Sequence, residues 1–229
     1  MAYAPAGRIR PSSAVTRRPD ELFSDVMQPL ATLPVFFPLA GKRVIVVGGS
    51  DGAAWKVDLV AATGAQVDVY TTSPCDKLKE LIAARANVAL HERAVTPSDF
   101  TGVTLAFGAT FDDAEAIAAR AAADAAGVPL NLADRPGMSD FIMGAIVNRS
   151  PLVIGVSTGG ASPVFAQAVR GRIESLVPAS FTAWARAAQD WRPGVLSSGL
   201  DFLARRDFWR RFTRLAFRDI ERAPQECDR

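Results

Sequence analysis

The segment Gly48-Gly49-Ser50-Asp51-Gly52, followed by Ala53, sits between a β-branched run and an alanine-rich stretch. A phosphate held against backbone needs close approach and free N–H groups at a helix N-terminus, and small residues provide both. The turn therefore points to a dinucleotide, although such turns also serve simply to pack a helix on a sheet. Downstream, Asp134 ends an apolar run containing Leu130, Asn131 and Leu132. A carboxylate at the carboxyl edge of an open sheet can be partly desolvated and kept basic enough to take a proton. Asp134-Arg135-Pro136 is also a turn starter, and the residue types by themselves favour that capping role. The stretch Ser157-Thr158-Gly159-Gly160-Ala161-Ser162-Pro163 brings hydroxyls and backbone N–H groups before a helix. That suits carboxylates or phosphates, and equally a plain N-capped helix.

Other chemistries are excluded or left open. The chain has one histidine, His91, and two cysteines, Cys75 and Cys227, in no zinc spacing. A histidine-based metal site is unavailable, no disulfide framework is expected, and a reducing, cytoplasmic setting is the simplest reading. No G-x-S-x-G elbow accompanies His91, which reads as surface or structural. The second strand ends in Tyr70-Thr71-Thr72. It has no ribose-binding acid there and no arginine directly after for a 2′-phosphate, so NAD and NADP are not separated.

The elements that must position these groups follow from the pattern. The chain has 229 residues, of which 49% are hydrophobic and 22% charged, with a net charge of +2. This supports one large domain or a nucleotide-binding domain plus smaller ones, excludes whole-chain disorder, and gives no reason to expect nucleic acid. No apolar stretch is long enough to span a membrane. Val44 to Val47 reads as a strand buried on both faces, Gly52 to Ala62 as helix and Gln66 to Tyr70 as strand. The alternation continues through helix Asp76 to Ala86, strand Val88 to Leu90, strand Val103 to Ala109, helix Asp112 to Ala126 and strand Val128 to Asp134. A doubly wound parallel α/β sheet is predicted. Paired strands are expected at Ala145 to Val147 and Leu152 to Val156, then a helix from Val164 to Leu176. Beyond Pro178 all reads as helix, with one break at Arg192-Pro193-Gly194. Arg206, Arg210, Arg214 and Arg218 form a stripe expected to face solvent, opposite Phe208, Trp209, Phe212 and Leu215. Four domains are expected: an irregular basic arm (1–32, a flexible tail in preference to a transit peptide), a Rossmann-like domain (33–143), a small α+β domain (144–177) and a helical domain (178–229).

Several short motifs agree in order with one family. Leu33-Pro34-Val35-Phe36-Phe37-Pro38-Leu39, then Val46-Val47-Gly48-Gly49-Ser50-Asp51-Gly52-Ala53-Ala54-Trp55-Lys56, resemble the siroheme synthase dehydrogenase/chelatase module. Gly108-Ala109-Thr110-Phe111-Asp112-Asp113, Asn131-Leu132-Ala133-Asp134, Phe141-Ile142-Met143, Arg149-Ser150-Pro151-Leu152, the Ser157 to Val164 run and Arg205-Arg206-Asp207-Phe208-Trp209 continue the resemblance. It implies an NAD-dependent oxidation of precorrin-2 to sirohydrochlorin, with Fe(II) insertion as a second step in many members and Fe(II) then a substrate. It implies a homodimer with a Rossmann, a dimerisation and a helical domain, and no fused methyltransferase. By resemblance, Gly48, Gly49, Ser50, Asp51, Gly52, Ala53, Tyr70, Thr71 and Thr110 hold NAD. Asp134 is the catalytic acid–base group, in place of the capping role. Asn131, Arg149, Ser157, Thr158, Gly159, Gly160 and Ser162 meet the tetrapyrrole. Lys56 is a family position without an assigned role. Phe111, Gly144, Thr158 and Tyr70 depart from common family residues. The alternatives are a dehydrogenase with a separate chelatase, and a non-catalytic NAD-sensing module.

Overall fold

Val44, Ile45, Val46 and Val47 are each 0% exposed, and they make up most of the first strand, β1 (Arg43–Val47). Removing each side chain from water stabilises the fold by about 1.5–3 kcal/mol. The computed structural model describes residues 29–229. Most of the expected basic arm, residues 1–28, lies outside the described residues. The chain from Pro34 to Arg229 forms one unit.

β1 leads into α1 (Asp51–Ala61), β2 (Gln66–Tyr70), α2 (Asp76–Ala84), β3 (Val88–His91), β4 (Leu105–Gly108), α3 (Asp113–Ala126) and β5 (Leu130–Leu132). The five strands pair in parallel in the order β3-β2-β1-β4-β5. This is the predicted Rossmann-like sheet. Strand parity sorts the core into two layers. Val44 and Val46 pack with Ala53, Ala54, Val57 and Val60 of α1 and with Leu78 of α2. Ile45 and Val47 pack with Ala116, Ala119, Ala122 and Ala123 of α3. Alanines let each helix lie close to the sheet, which explains their density in these segments. The chain steps from β3 at one edge across to β4 beside β1. A crevice therefore opens at the carboxyl ends of β1 and β4, where such sheets bind ligands.

A two-stranded antiparallel hairpin follows, β6 (Ala145–Arg149) with β7 (Leu152–Val156). Then comes α4 (Pro163–Leu176), capped by Ser162, whose Oγ accepts from the Phe165 N–H, and started by Pro163 at its first position. Arg170 Nε donates to Ile146 O at 2.8 Å and Arg149 Nε to Val177 O at 2.8 Å, tying helix to hairpin. No residue of α4 is buried.

The C-terminal part is helical, α5 (Phe181–Ser197) and α6 (Phe202–Arg218). Trp184, Ala187, Trp191, Phe212 and Ala216 form its core, with Trp184 and Trp191 edge-on to Phe212 at 5.3 and 5.6 Å. The expected break at Arg192-Pro193-Gly194 is absent: α5 runs through Pro193 and ends at Ser197. Buried Trp184, Ala187, Trp191 and Val195 continue one stripe at spacings of three and four across the proline. Packing of that stripe outweighs the lost N–H bond, whose cost is about 3 kcal/mol. The turn falls later, at Gly199, which has φ +74°. Among the described residues no helix is long and apolar enough to cross a membrane.

Candidate functional site

The glycine-rich turn folds as it does because two of its residues cannot carry a side chain. A methyl group on Gly48, at φ +123°, would overlap the Ala109 carbonyl oxygen. A methyl on Gly49 would overlap the Ser73 carbonyl oxygen and lie 2.6 Å from Thr71 Oγ1. Backbones of three strand ends thus meet here without side chains between them. Ser50 caps α1: its Oγ accepts from the Ala53 N–H at 3.3 Å and donates to Ala109 O at 3.0 Å. The N–H groups of Asp51 and Gly52 precede the first helical bond and are left for an anion, which the helix dipole also favours.

A cavity of about 690 Å³ opens beside this turn. Of the expected cofactor residues, Gly49, Ser50, Thr71 and Thr110 line it, together with Thr72, Ser73, Phe111, Asp112 and Glu115. Gly48 is buried beneath it, while Asp51, Gly52 and Ala53 form the first turn of α1 and are not part of the wall. Among the described residues no lysine or arginine lines the cavity. Tyr70 lies elsewhere. Its side chain is 1% exposed, its hydroxyl donates to Asp99 Oδ1 at 3.1 Å, and its ring stacks on His91 at 4.5 Å. The hydroxyl is held protonated above the ordinary tyrosine range by burial and by the Asp99 charge. The Asp99 carboxyl is held far below its ordinary range, first by Arg93 and then by Thr96 and Tyr70. Asp99 comes from a short 3-10 helix, Pro97–Phe100, with a Thr96–Asp99 capping box. His91 also lies 3.0 Å from Asp68, so its ring is held as a structural group.

A second cavity, of about 760 Å³, lies past the carboxyl end of β5, between the sheet and the β6–β7–α4 unit. Asp134, expected to be the catalytic group, and Asn131, Ser157, Thr158 and Gly160, expected to meet the substrate, line it, and so do Trp55, Lys56, Arg135 and Arg170. Asp134 has φ +59°, the only non-glycine in the left-handed region among the described residues. Aspartate tolerates that conformation better than most residues, and such outliers gather at functional sites. Its position on the cavity wall favours the acid–base role over a simple cap. Arg149 is off the wall: it bonds Val177 O and lies 3.8 Å from Glu174. Ser162 serves as the α4 cap, and Gly159 is an exposed turn residue at φ +62°. Neither lines the cavity.

Lys56 carried no expected role, yet it is 6% exposed and its Nζ donates to Asn131 Oδ1 at 3.0 Å. A signal was present: Lys56 falls within the stripe Ala53, Ala54, Val57, Val60, where a charge is unusual. Burial pushes its ammonium below the ordinary lysine range, and the nearby Asp134 charge pulls it partly back. Arg135 pairs with Asp113 at 2.6 Å and Arg170 with Glu174 at 2.9 Å. Among the described residues the cavity wall thus carries three cations, Lys56, Arg135 and Arg170, and one acid, Asp134. Among the described residues no group of three or more His, Cys, Asp or Glu could hold a metal ion.

Two families match in this order along the chain. Residues 35–145 match the family described as putative NAD(P)-binding, and residues 149–176 the one described as sirohaem biosynthesis protein central. Siroheme synthase of Methylococcus capsulatus is 40% identical over 179 residues, covering 78% of this chain and 38% of that protein. Siroheme synthase of Stutzerimonas stutzeri is 38% identical over 177 residues, covering 77% and 38%. That of Nitrosomonas europaea is 32% identical over 199 residues, covering 85% and 42%. The chain thus spans about two fifths of the length of these relatives. A solved structure described as SirC, precorrin-2 dehydrogenase, superposes with a TM-score of 0.69 at 20% identity, covering 82% of this chain and 92% of that one. That likeness supports the fold.

Proposed function

The chain belongs to the siroheme synthase N-terminal module family, and we propose that it oxidises precorrin-2 to sirohydrochlorin with NAD. One observation carries the reading: a cavity with three cations and a single acid opens at the carboxyl edge of the same sheet whose glycine-rich turn makes a phosphate cradle. Precorrin-2 is a polycarboxylate, and charge-assisted bonds to cations suit it.

The residues fit a dinucleotide. The Asp51 and Gly52 N–H groups and the close approach at Gly49 would hold the pyrophosphate, with Thr71, Thr72 and Thr110 as hydroxyl partners. Among the described residues that wall carries no cation to pair with a 2′-phosphate, which favours NAD. When bound, the nicotinamide supplies the acceptor for the hydride that leaves the substrate. Asp134 takes the proton released as the macrocycle becomes conjugated, so the two hydrogens lost leave as a hydride and a proton. Arg135, Arg170 and the Ser157 and Thr158 hydroxyls orient the acid side chains of the substrate.

Insertion of Fe(II) is part of the same proposal. The metal is then a substrate whose ligands are the macrocycle nitrogens, and Asp134 takes the two displaced N–H protons in turn, passing the first to solvent before accepting the second. The proposal keeps the expected division into an arm (1–32), a Rossmann-like domain (33–143), a small α+β domain (144–177) and a helical domain (178–229). A homodimer is supported by α4, which buries none of its residues and leaves Val164 and Phe165 at 80% and 60% exposed. A cytoplasmic setting is supported by Cys75 and Cys227, both free thiols.

The test is anaerobic turnover of precorrin-2 with NAD, followed by absorbance, then with Fe(II) added. Asp134→Asn keeps a residue that tolerates the left-handed backbone and removes the proton acceptor. Its rate should fall by about 10²–10⁴-fold with NAD affinity unchanged. Full activity of Asp134→Asn would sink the acid–base role. NAD binding without any conversion by the wild type would favour a sensor, and conversion without a metal-dependent second change a dehydrogenase alone.

A further inference from the structure

Lys56 differs from the other two cations of the tetrapyrrole cavity. Arg135 and Arg170 already face carboxylates at 2.6 and 2.9 Å. Lys56 has no carboxylate within 4.0 Å among the described residues, although it is 6% exposed. Its ammonium has three N–H groups. One donates to Asn131 Oδ1 at 3.0 Å and one approaches Met143 Sδ at 3.5 Å, a weak acceptor. The third has no partner among the described residues. The Phe107 ring centroid lies 5.5 Å away and offers only its π-face. A buried ammonium so poorly neutralised is costly unless an anion joins it.

The ammonium is also held rather than free. Asn131 Nδ2 donates to Phe141 O at 2.8 Å, which fixes the amide and turns Oδ1 toward Lys56. Both ends of the Asn131 amide are thereby engaged within the protein, and its side chain is 7% exposed. Asn131 is better described as the bracket for Lys56 than as a substrate ligand. Lys56 and Asp134 line one wall system: Asn131, which grips the lysine, precedes Asp134 by three residues.

We propose that Lys56 is the anchor for one carboxylate of the ligand in this cavity, its third N–H donating to an acid side chain of the tetrapyrrole. The inference rests on reading that cavity as the tetrapyrrole site. The anchored carboxylate neutralises the ammonium and sets the macrocycle against Asp134. The rival role is an internal tie between α1 and β5 with no ligand contact.

The probe is uroporphyrin, a stable tetrapyrrole with eight carboxylates, titrated by its fluorescence into wild type, Lys56→Met and Lys56→Cys. The Lys56→Cys protein is measured again after aminoethylation, which restores an ammonium on a side chain of nearly the same length. Wild type treated with the same reagent controls for Cys75 and Cys227. Loss of one charge-assisted bond should weaken uroporphyrin binding by about ten- to a hundredfold, and aminoethylation should recover most of it. NAD affinity, read at the other cavity, should stay within about twofold and shows that each variant is folded. Variants that bind NAD normally and uroporphyrin as tightly as wild type would overturn the anchor and leave the site reading intact. Failure of the wild type itself to bind uroporphyrin would overturn the tetrapyrrole reading, and the anchor with it.

Discussion

Gly49 and Gly52 look alike in the sequence, but the structure separates them. A methyl on Gly49 would overlap the Ser73 carbonyl oxygen and press on Thr71 Oγ1 at 2.6 Å. Those two atoms belong to a loop pinned by the Cys75 N–H to Gly49 O bond at 2.8 Å and the Ser73 N–H to Thr71 Oγ1 bond at 3.2 Å. The loop must move outward, and overpacking of this kind costs about 1–3 kcal/mol. In a chain of this size each kcal/mol lowers Tm by about 2–4 °C, so Gly49→Ala should melt about 2–12 °C lower. Gly49, Thr71 and Ser73 all line the cofactor cavity. Their displacement should raise the Kd for NAD at least about tenfold, equivalent to about 1.4 kcal/mol. A methyl on Gly52 meets only Ser50 Oγ at 3.5 Å and Ala109 Cβ at 3.9 Å, which is ordinary contact. In the first turn of a helix, Gly52→Ala should leave Tm unchanged or raise it by reducing the freedom of the unfolded chain. Thermal melting and NAD titration of both variants decide the matter. A Gly49→Ala protein with wild-type Tm and NAD affinity, or a Gly52→Ala protein as damaged as Gly49→Ala, would refute the reasoning.

Three further outcomes are expected. Tyr70→Phe should lose about 1–2 kcal/mol of stability with its bond to Asp99, while the Kd for NAD stays within about twofold, because that ring is buried away from the cofactor wall; paired melts and titrations test this. The Asp99 carboxyl is depressed in the folded protein, so its contribution should be full above about pH 4, the unfolded value, and fade as pH falls below it. The Tm gap between wild type and Asp99→Asn should then be constant from pH 8 to pH 5 and narrow in more acidic buffer. Ser162→Ala should cost about 1 kcal/mol as a lost helix cap, with uroporphyrin affinity unchanged, since Ser162 is off the wall of that cavity; a shift in affinity larger than the loss of stability would contradict its placement.

The strand–helix alternation was legible because strands buried on both faces read as short β-branched runs, and helices close-packed on a sheet read as alanines. Val44 to Val47 and Ala116 to Ala123 carried those signals plainly. Asp134 was legible through its place after an apolar strand, but its left-handed backbone was not. Tyr70 misled because strand parity was not applied to it. Tyr70 ends β2, but its side chain shares a face with Asp68, packs toward α3 and the 3-10 helix, and does not line the cofactor cavity. The Thr96-Pro97-Ser98-Asp99 capping box that holds its hydroxyl is a local signal that went unread. Lys56 escaped because lysine on a helix is usually taken as solvated, and only its place in a buried stripe reveals it. Pro193 reads as a stop because the local rule against proline inside a helix is strong. The stripe from Trp184 to Val195 shows that tertiary packing overrode it.

The left-handed turn at Asp134 also bears on how its side chain is aimed. Among the described residues no hydrogen bond or ion pair grips its carboxylate, although it lines the cavity. The left-handed main chain sets the direction in which the Cα–Cβ bond leaves the turn. A carboxylate steered by a partner must give up that partner before it can accept anything new. Both Asp134 oxygens are free of such partners among the described residues, while the backbone has already fixed the bond from which the carboxylate swings. A tolerated backbone conformation thus does part of the orienting work that a neighbouring donor would otherwise do.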